Sequence, residues 1–182
     1  MTKIEMVNLM KQCVNPHKIC RVFFKYGINY WYYFPLIVNE KFFLGAEEDD
    51  FILNGYSIRR FKDMKKVEIK DDKCLEINML EGTVDQLIIP NVDITNWKTI
   101  FSSLKAIDHS VIVEQESLIE DECQFVIGRI EKIFNNHVYI RGFDADGVWE
   151  DEFYKIPYAE ITSVTFGSRY VEIFSKYLPP IK

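Results

Sequence analysis

The chain lacks most of the residue patterns from which an activity is read. It has 3 histidines, His17, His109 and His137; none has a companion at metal-ligand spacing or stands beside a serine or cysteine in a nucleophile motif. Its 4 cysteines, Cys13, Cys20, Cys74 and Cys123, are dispersed without a Cys-x-x-Cys pair, which argues against a zinc site or a disulfide framework and for reduced, mostly buried thiols. Among 8 glycines there is no phosphate-cradling loop and no dinucleotide fingerprint; Gly27 and Gly167-Ser168 are isolated. No cofactor is indicated. Nowhere does an apolar run approach the ~20 residues of a membrane-spanning helix, and the opening Met-Thr-Lys-Ile-Glu-Met-Val-Asn has no uninterrupted apolar core, so a cytoplasmic protein without membrane contact is expected. Positive charge is in deficit as well. With 22 Lys+Arg against 28 Asp+Glu the net charge is -6, which works against non-specific attraction to nucleic acid or anionic lipid.

What is present is core material and an internal echo. The 182 residues are 48% hydrophobic and 15% aromatic, ample for one sizeable domain or two small ones. At an ungapped offset of 97, the distance from Gly45 to Gly142, chemistry matches over a long stretch. Phe42-Phe43 falls on Tyr139-Ile140, Glu47 and Asp49 on Asp144 and Asp146, Tyr56 on Phe153, Phe61-x-Asp63-Met64 on Tyr158-x-Glu160-Ile161, and Val67-x-Ile69 on Val164-x-Phe166. The expectation is a duplicated β-rich unit, with residues 1–90 as the first copy and 92–182 as the second, packed on each other. Charge divides unequally between them: residues 1–90 carry 13 basic and 13 acidic side chains, residues 91–182 carry 9 and 15.

Spacing then suggests elements. Ile4, Val7, Met10 and Val14 share one face of a helix over Thr2 to Val14, ended by Asn15-Pro16. Strands are expected at 18–25, 28–38, 41–46, 56–61, 64–69, 74–79 and 86–89, the first pair flanking Tyr26-Gly27. Past Pro90-Asn91, Asp93 can cap a helix whose inner face is Trp97, Ile100, Phe101 and Leu104. Strands follow at 111–114, 125–134, 138–143, 149–156, 161–166 and 171–174, with the acidic 116–122 stretch as a longer loop. The fold class is therefore mainly β within α+β: two tandem units, each a short helix plus a small antiparallel curved sheet, SH3-like or Sm-like partly open barrels. One continuous α+β sheet with both helices on one face is the alternative.

Three segments are candidates for chemistry. Asp144, Asp146 and Glu150 could offer hard oxygen ligands to calcium or magnesium, with a partial echo at Glu47-Glu48-Asp49-Asp50; the spacing is not that of an EF-hand, and Asp146-Gly147 reads equally as a tight turn. Arg59, Arg60, Lys62, Lys65 and Lys66, continuing to Lys70 and Lys73, form the basic concentration that a single-strand-binding barrel would use, although lysines also guard exposed strands against edge pairing. Tyr30, Trp31, Tyr32 and Tyr33, followed by Phe34, put aromatics on both faces of one strand, so either intramolecular packing or a partner protein must cover the second face.

The runs Ile127-Gly128-Arg129-Ile130, Phe143-Asp144-Ala145-Asp146-Gly147-Val148-Trp149, Ile156-Pro157-Tyr158 with Glu160 to Tyr170, and Phe174-Ser175-Lys176-Tyr177-Leu178 resemble a family of uncharacterised bacterial proteins, mostly from Firmicutes, over about residues 125–178. The resemblance implies a bacterial cytoplasmic protein and brings no activity, ligand or residue role. With no convergent acid, base and nucleophile, the sequence favours a non-catalytic intracellular interaction module. A nucleic-acid-binding small barrel using residues 59–73 and a metal-dependent enzyme are the alternatives. Oligomeric state is not legible. Ile161, Val164 and Phe166 are expected in the core.

Overall fold

A computed structural model describes residues 1–26, 30–108, 110–119 and 122–181. The turn residue Gly27, the expected strand start at Ile28-Asn29, His109, and Glu120-Asp121 of the acidic loop lie outside the described residues. The chain divides into two compact units, Met1–Pro90 and Asn91–Lys182.

Unit 1 opens with α1 (Lys3–Val14), whose start is a capping box: the Thr2 hydroxyl accepts from Glu5 N, and the Glu5 carboxylate accepts from Thr2 N at 2.6 Å. Its buried residues are Met6, Val7, Met10 and Cys13, whereas Ile4 of the expected face is exposed. Two overlapping apolar stripes share Val7 and Met10, and the one carrying Met6 and Cys13 meets the sheet. Five strands follow, β1 (Ile19–Phe24), β2 (Tyr30–Val38), β3 (Phe42–Asp49), β4 (Ile52–Arg60) and β5 (Met64–Lys70), the last two joined by a 3-10 turn at Phe61–Asp63; α2 (Lys73–Leu80) closes the unit. The strands are antiparallel in the order β5-β1-β2-β3-β4. Val22, Phe24, Tyr33, Phe43, Phe61 and Val67 pack with the buried face of α1 into one core.

Unit 2 contains α3 (Trp97–Ala106), β6 (Val111–Gln115), β7 (Gln124–Ile133), β8 (His137–Phe143), β9 (Trp149–Pro157), β10 (Ser163–Phe166) and α4 (Arg169–Ser175). The order is β10-β6-β7-β8-β9, again antiparallel. Trp97, Ile100, Phe101 and Leu104 are buried as expected, but the cap is Asn96, which accepts from Thr99 N at 3.1 Å. Asp93 instead accepts from Thr95 N at 2.9 Å, which stiffens the approach to the helix. Ile161, Val164 and Phe166 are all buried, and so are Ser163 and Thr165.

Element order and strand register coincide between the units. Pro35 faces Gly45 where Ile130 faces Ile140, and Val38 faces Phe43 where Ile133 faces Val138, so β2 and β3 map onto β7 and β8 at an offset of 95. Both ladders break at the mapped point, between Pro35 and Ile37 and between Ile130 and Lys132. The next ladder breaks between Ala46 and Glu48 in unit 1 and between Arg141 and Phe143 in unit 2. Beyond that hairpin the offset becomes 97, with Ala46 facing Tyr56 and Arg141 facing Phe153. Two extra residues thus lie between Phe143 and Phe153. The ungapped match is correct for β4 and β5 but slips by two residues on β3: Gly45 and Gly142 occupy the same strand of the order, yet the ladders set Gly142 opposite the role of Glu47.

Three expected strands are corrected. Residues 74–79 and 171–174 lie in helices α2 and α4, and of 86–89 the first residue ends a 3-10 turn at Val84–Gln86 while 87–89 form no strand. Short apolar alternation cannot distinguish strand from helix, and in 73–80 the Asp72 carboxylate accepts from Cys74 N at 3.1 Å, which caps a helix built of good helix formers. In each unit the fourth and fifth strands stand at opposite ends of the order, so neither sheet closes into a barrel by itself. The protein is mainly antiparallel β within the α+β class.

Candidate functional site

A concavity of unit 2 forms where β7, β8, β9 and the start of α4 converge. Its volume is about 460 Å³. Phe125 and Ile127 supply one wall, Tyr170 another, and Glu150 and Tyr154 a third, over a floor of Gly142 and Phe143. Glu150 lies in the irregular part of β9 between Trp149 and Phe153, and its side chain meets that of Tyr154. The Tyr154 hydroxyl donates to Glu150 Oε1 at 3.0 Å, and that bond raises the phenol above its ordinary ionisation range. Glycine leaves room at the floor for two side chains: a Cβ on Gly142 would lie 2.6 Å from Glu150 Oε2 and 2.8 Å from Tyr154 Cε2, so both would have to shift. Gly128 faces Gly142 across the ladder and a Cβ on Gly128 would lie 1.9 Å from the Arg141 carbonyl oxygen, so Gly128 allows the close approach of β7 and β8.

The hairpin tip beside this cavity is a turn stabilised by its own acid. Asp144 Oδ1 accepts from Asp146 N at 3.0 Å and Val148 N at 2.9 Å, Gly147 N donates to Asp144 O at 3.1 Å, and Gly147 has φ +76. Asp144 and Glu150 both line the cavity, whereas Asp146 does not. Among the described residues, no three His, Cys, Asp or Glu side chains are grouped as a metal site.

Unit 1 has a smaller concavity of about 210 Å³ at the mapped place, lined by Tyr32, Glu48, Asp49, Phe51, Lys70 and Cys74 among others. Tyr32, Glu48 and Asp49 hold the register positions of Ile127, Phe143 and Asp144, which line the unit 2 cavity. Here Glu48 is drawn into the fold, accepting from Phe51 N at 2.9 Å and Asn78 Nδ2 at 3.3 Å.

The aromatic run divides along the strand rather than by alternation, its start exposed and Tyr33 and Phe34 both buried. Tyr33 is in the core, 5.2 Å from Phe43 and 6.4 Å from Phe24 between ring centroids. Tyr30 and Trp31 are exposed, and Tyr32 is half-buried. On the outer face Tyr30 touches Phe23 and Tyr32, each at 5.4 Å, and the Arg21 guanidinium lies 4.8 Å from the Tyr30 ring centre. Much of that face is therefore covered by this chain's own side chains. Glu68 ties Lys66 and Arg21 together there, and those two hydrogen bonds hold its carboxyl below the usual range.

The basic stretch is largely spent inside the unit. Arg59 is buried with its guanidinium 3.7 Å from the Phe24 ring centre, and Arg60 is in a buried ion pair with Asp63, which also accepts from the Tyr26 hydroxyl at 3.0 Å. Lys66 pairs with Glu68, Lys70 with Asp72, and Lys73 with Glu76 at 2.8 Å; Lys62 and Lys65 are exposed. Only half the cysteines are buried: Cys13 and Cys20 are, while Cys74 and Cys123 are exposed. The Cys13 thiol is lowered by its hydrogen bond with Cys20, and that bond together with burial pushes Cys20 up.

The cavity residues absent from the sequence reading are Phe125, Tyr154 and Tyr170. Their signal was available only in part, for Phe125 and Tyr154 as aromatics within expected strands, because nothing local brings a β7 residue beside Tyr170 of α4. No family model, no curated protein and no solved structure matches this chain, and the site stands on its geometry alone.

Proposed function

We propose that the chain is a non-catalytic interaction module of the cytoplasm, two SH3-like or Sm-like units related by duplication, each receiving a ligand or a partner segment in the cavity beside its third strand. The observation that carries this reading is the recurrence of a cavity at mapped register positions in both units, Tyr32, Glu48 and Asp49 in one and Ile127, Phe143 and Asp144 in the other. Coincident strand order and coincident ladder breaks support the duplication, since a break repeated at two mapped points is a costly feature to arrive at twice by chance. Exposed Tyr154 and Tyr170 suit binding, because aromatic rings give large contact area with few rotamers to immobilise. The nucleic-acid reading has less support, since with Arg59 and Arg60 buried it rests on Lys62, Lys65 and Lys66. A fragment screen by protein-observed NMR tests the proposal. Hits should perturb Tyr32 and Lys70 in unit 1 and Phe125, Gly142 and Tyr154 in unit 2. Shifts scattered over the surface, or none at either cavity, would overturn it.

A further inference from the structure

We infer that the unit 2 cavity receives a methylated ammonium cation, an inference that rests on the interaction reading above and names the ligand chemistry of one of its two sites. Phe125, Tyr154 and Tyr170 put aromatic rings on the lining, Phe143, stacked on Phe174 at 5.1 Å, backs them, and Asp144 and Glu150 add carboxylates. Ring faces carry negative potential and attract a cation, most effectively one whose hydration is already weak. A trimethylammonium group is such a cation: its methyls fill apolar space against the rings, and it needs no hydrogen-bond acceptors. A bare ammonium would lose its water shell to walls whose Asp144 Oδ1 already accepts from Asp146 N and Val148 N and whose Glu150 Oε1 already accepts from the Tyr154 hydroxyl, at a desolvation cost the rings do not offset. The cavity, at about 460 Å³, is wide enough for that head and a short chain. No basic residue is among its described lining residues, and the surrounding stretch 91–182 has 9 basic against 15 acidic side chains, so the local field favours entry of a cation. The mapped cavity of unit 1 differs in kind: Lys70 lines it, and residues 1–90 are balanced in charge.

Gly142 is the specificity element. Its missing side chain leaves the space over which Glu150 and Tyr154 stand, and both obstacles to a Cβ there are side-chain atoms rather than backbone. Gly142→Ala therefore displaces the carboxylate and the ring while leaving the strand in place.

The test is an NMR titration of the full chain with choline, with its neutral carbon isostere 3,3-dimethylbutan-1-ol, and with capped trimethyl-lysine. Choline is expected to shift the amides of Gly142 and Tyr154 saturably, and the isostere to bind at least about tenfold more weakly, because only the charge differs. Glu150→Gln and Gly142→Ala should each weaken choline binding about tenfold while the remaining spectrum keeps its dispersion, and Phe125→Ala serves as a second variant outside the floor. Tighter binding of capped trimethyl-lysine than of choline assigns the cation to a modified side chain; the reverse order assigns it to a free small molecule. Equal binding of choline and the isostere would overturn the cation assignment and leave an apolar binding cavity. Failure of every cation in a protein whose cavities still capture other fragments would also overturn it, without touching the proposed function.

Discussion

The two units share a framework and differ in where they place charge. At one mapped position unit 1 has Asp63, buried against Arg60, and unit 2 has Glu160, exposed and accepting from Gln115 Nε2 at 2.6 Å. At another, unit 1 has Phe61 in its core and unit 2 has Tyr158, whose ring stacks on Phe101 at 5.9 Å and whose hydroxyl donates to Phe134 O at 3.0 Å. Unit 1 uses its ions to hold itself together. Unit 2 has ion pairs as well, Arg141–Glu131 half-buried and Arg129–Asp108 exposed, and it leaves other carboxylates at the surface and around an aromatic cavity. A shared strand register therefore constrains core and turns far more than it constrains the chemistry displayed.

The largest expected effect tests that contrast directly. Asp63→Ala strands the Arg60 guanidinium in the interior and should cost about 3–5 kcal/mol, whereas Glu160→Ala should stay within about 0.5 kcal/mol. Urea midpoints at unchanged slope measure both; similar losses would mean the two positions play one role after all. Phe166→Ala should likewise cost about 3–5 kcal/mol, because Phe166 is buried against Val111, and Ile69→Ala, at the mapped and partly exposed position facing Cys20, roughly 2 kcal/mol or less. A Phe166→Ala midpoint equal to wild type would place that motif on the surface.

Smaller effects sharpen the picture of the hairpins. Gly147 holds φ +76 in unit 2, whereas unit 1 turns through Asp50 and Phe51 at φ 49 and 68. Gly147→Ala should cost about 1–2 kcal/mol by thermal melting, and no loss would show that the turn relaxes to another form. The smallest effect is on alkaline stability. Burial pushes the Tyr158 phenol up to about 12, from an ordinary value near 10. Between those pH values the folded chain keeps a proton that the unfolded chain has lost, so stability falls as pH rises from about 10 to about 12. Tyr158→Phe, which gives unit 2 the residue of unit 1, should make that fall shallower in melts across the range; an unchanged slope would assign the titration to other tyrosines.

Much of the framework was legible because it depends on periodicity and turn chemistry. The helix face of Trp97, Ile100, Phe101 and Leu104 needed only helical spacing, and Val164 and Phe166 only strand spacing. Where reading failed, the reason was local ambiguity or a change of length. Residues 74–79 and 171–174 alternate as strands do, yet lie in helices with Leu75 and Val171 turned inward. The Gly45–Gly142 match slipped because two residues inserted after Phe143 shift the pairing of β8 without changing the identity of any strand. Arg59 and Arg60 read as a surface patch because a sequence does not say which partner a cation will find.

By itself, then, the sequence determined two helix-led β units divided at Pro90-Asn91, and core positions at Val7, Met10, Phe101, Leu104, Val164 and Phe166. Those features follow from apolar spacing along the chain. Only the tertiary structure decided that Arg60 would be enclosed with Asp63, that Gly142 would be a cavity floor, and that Phe125, Glu150, Tyr154 and Tyr170 would stand around it. Arg60 and Asp63 are close in sequence, but their enclosure depends on the core that packs around them, and Phe125 and Tyr170 meet only through strand register and the packing of α4, so neither arrangement carries a local mark in the sequence.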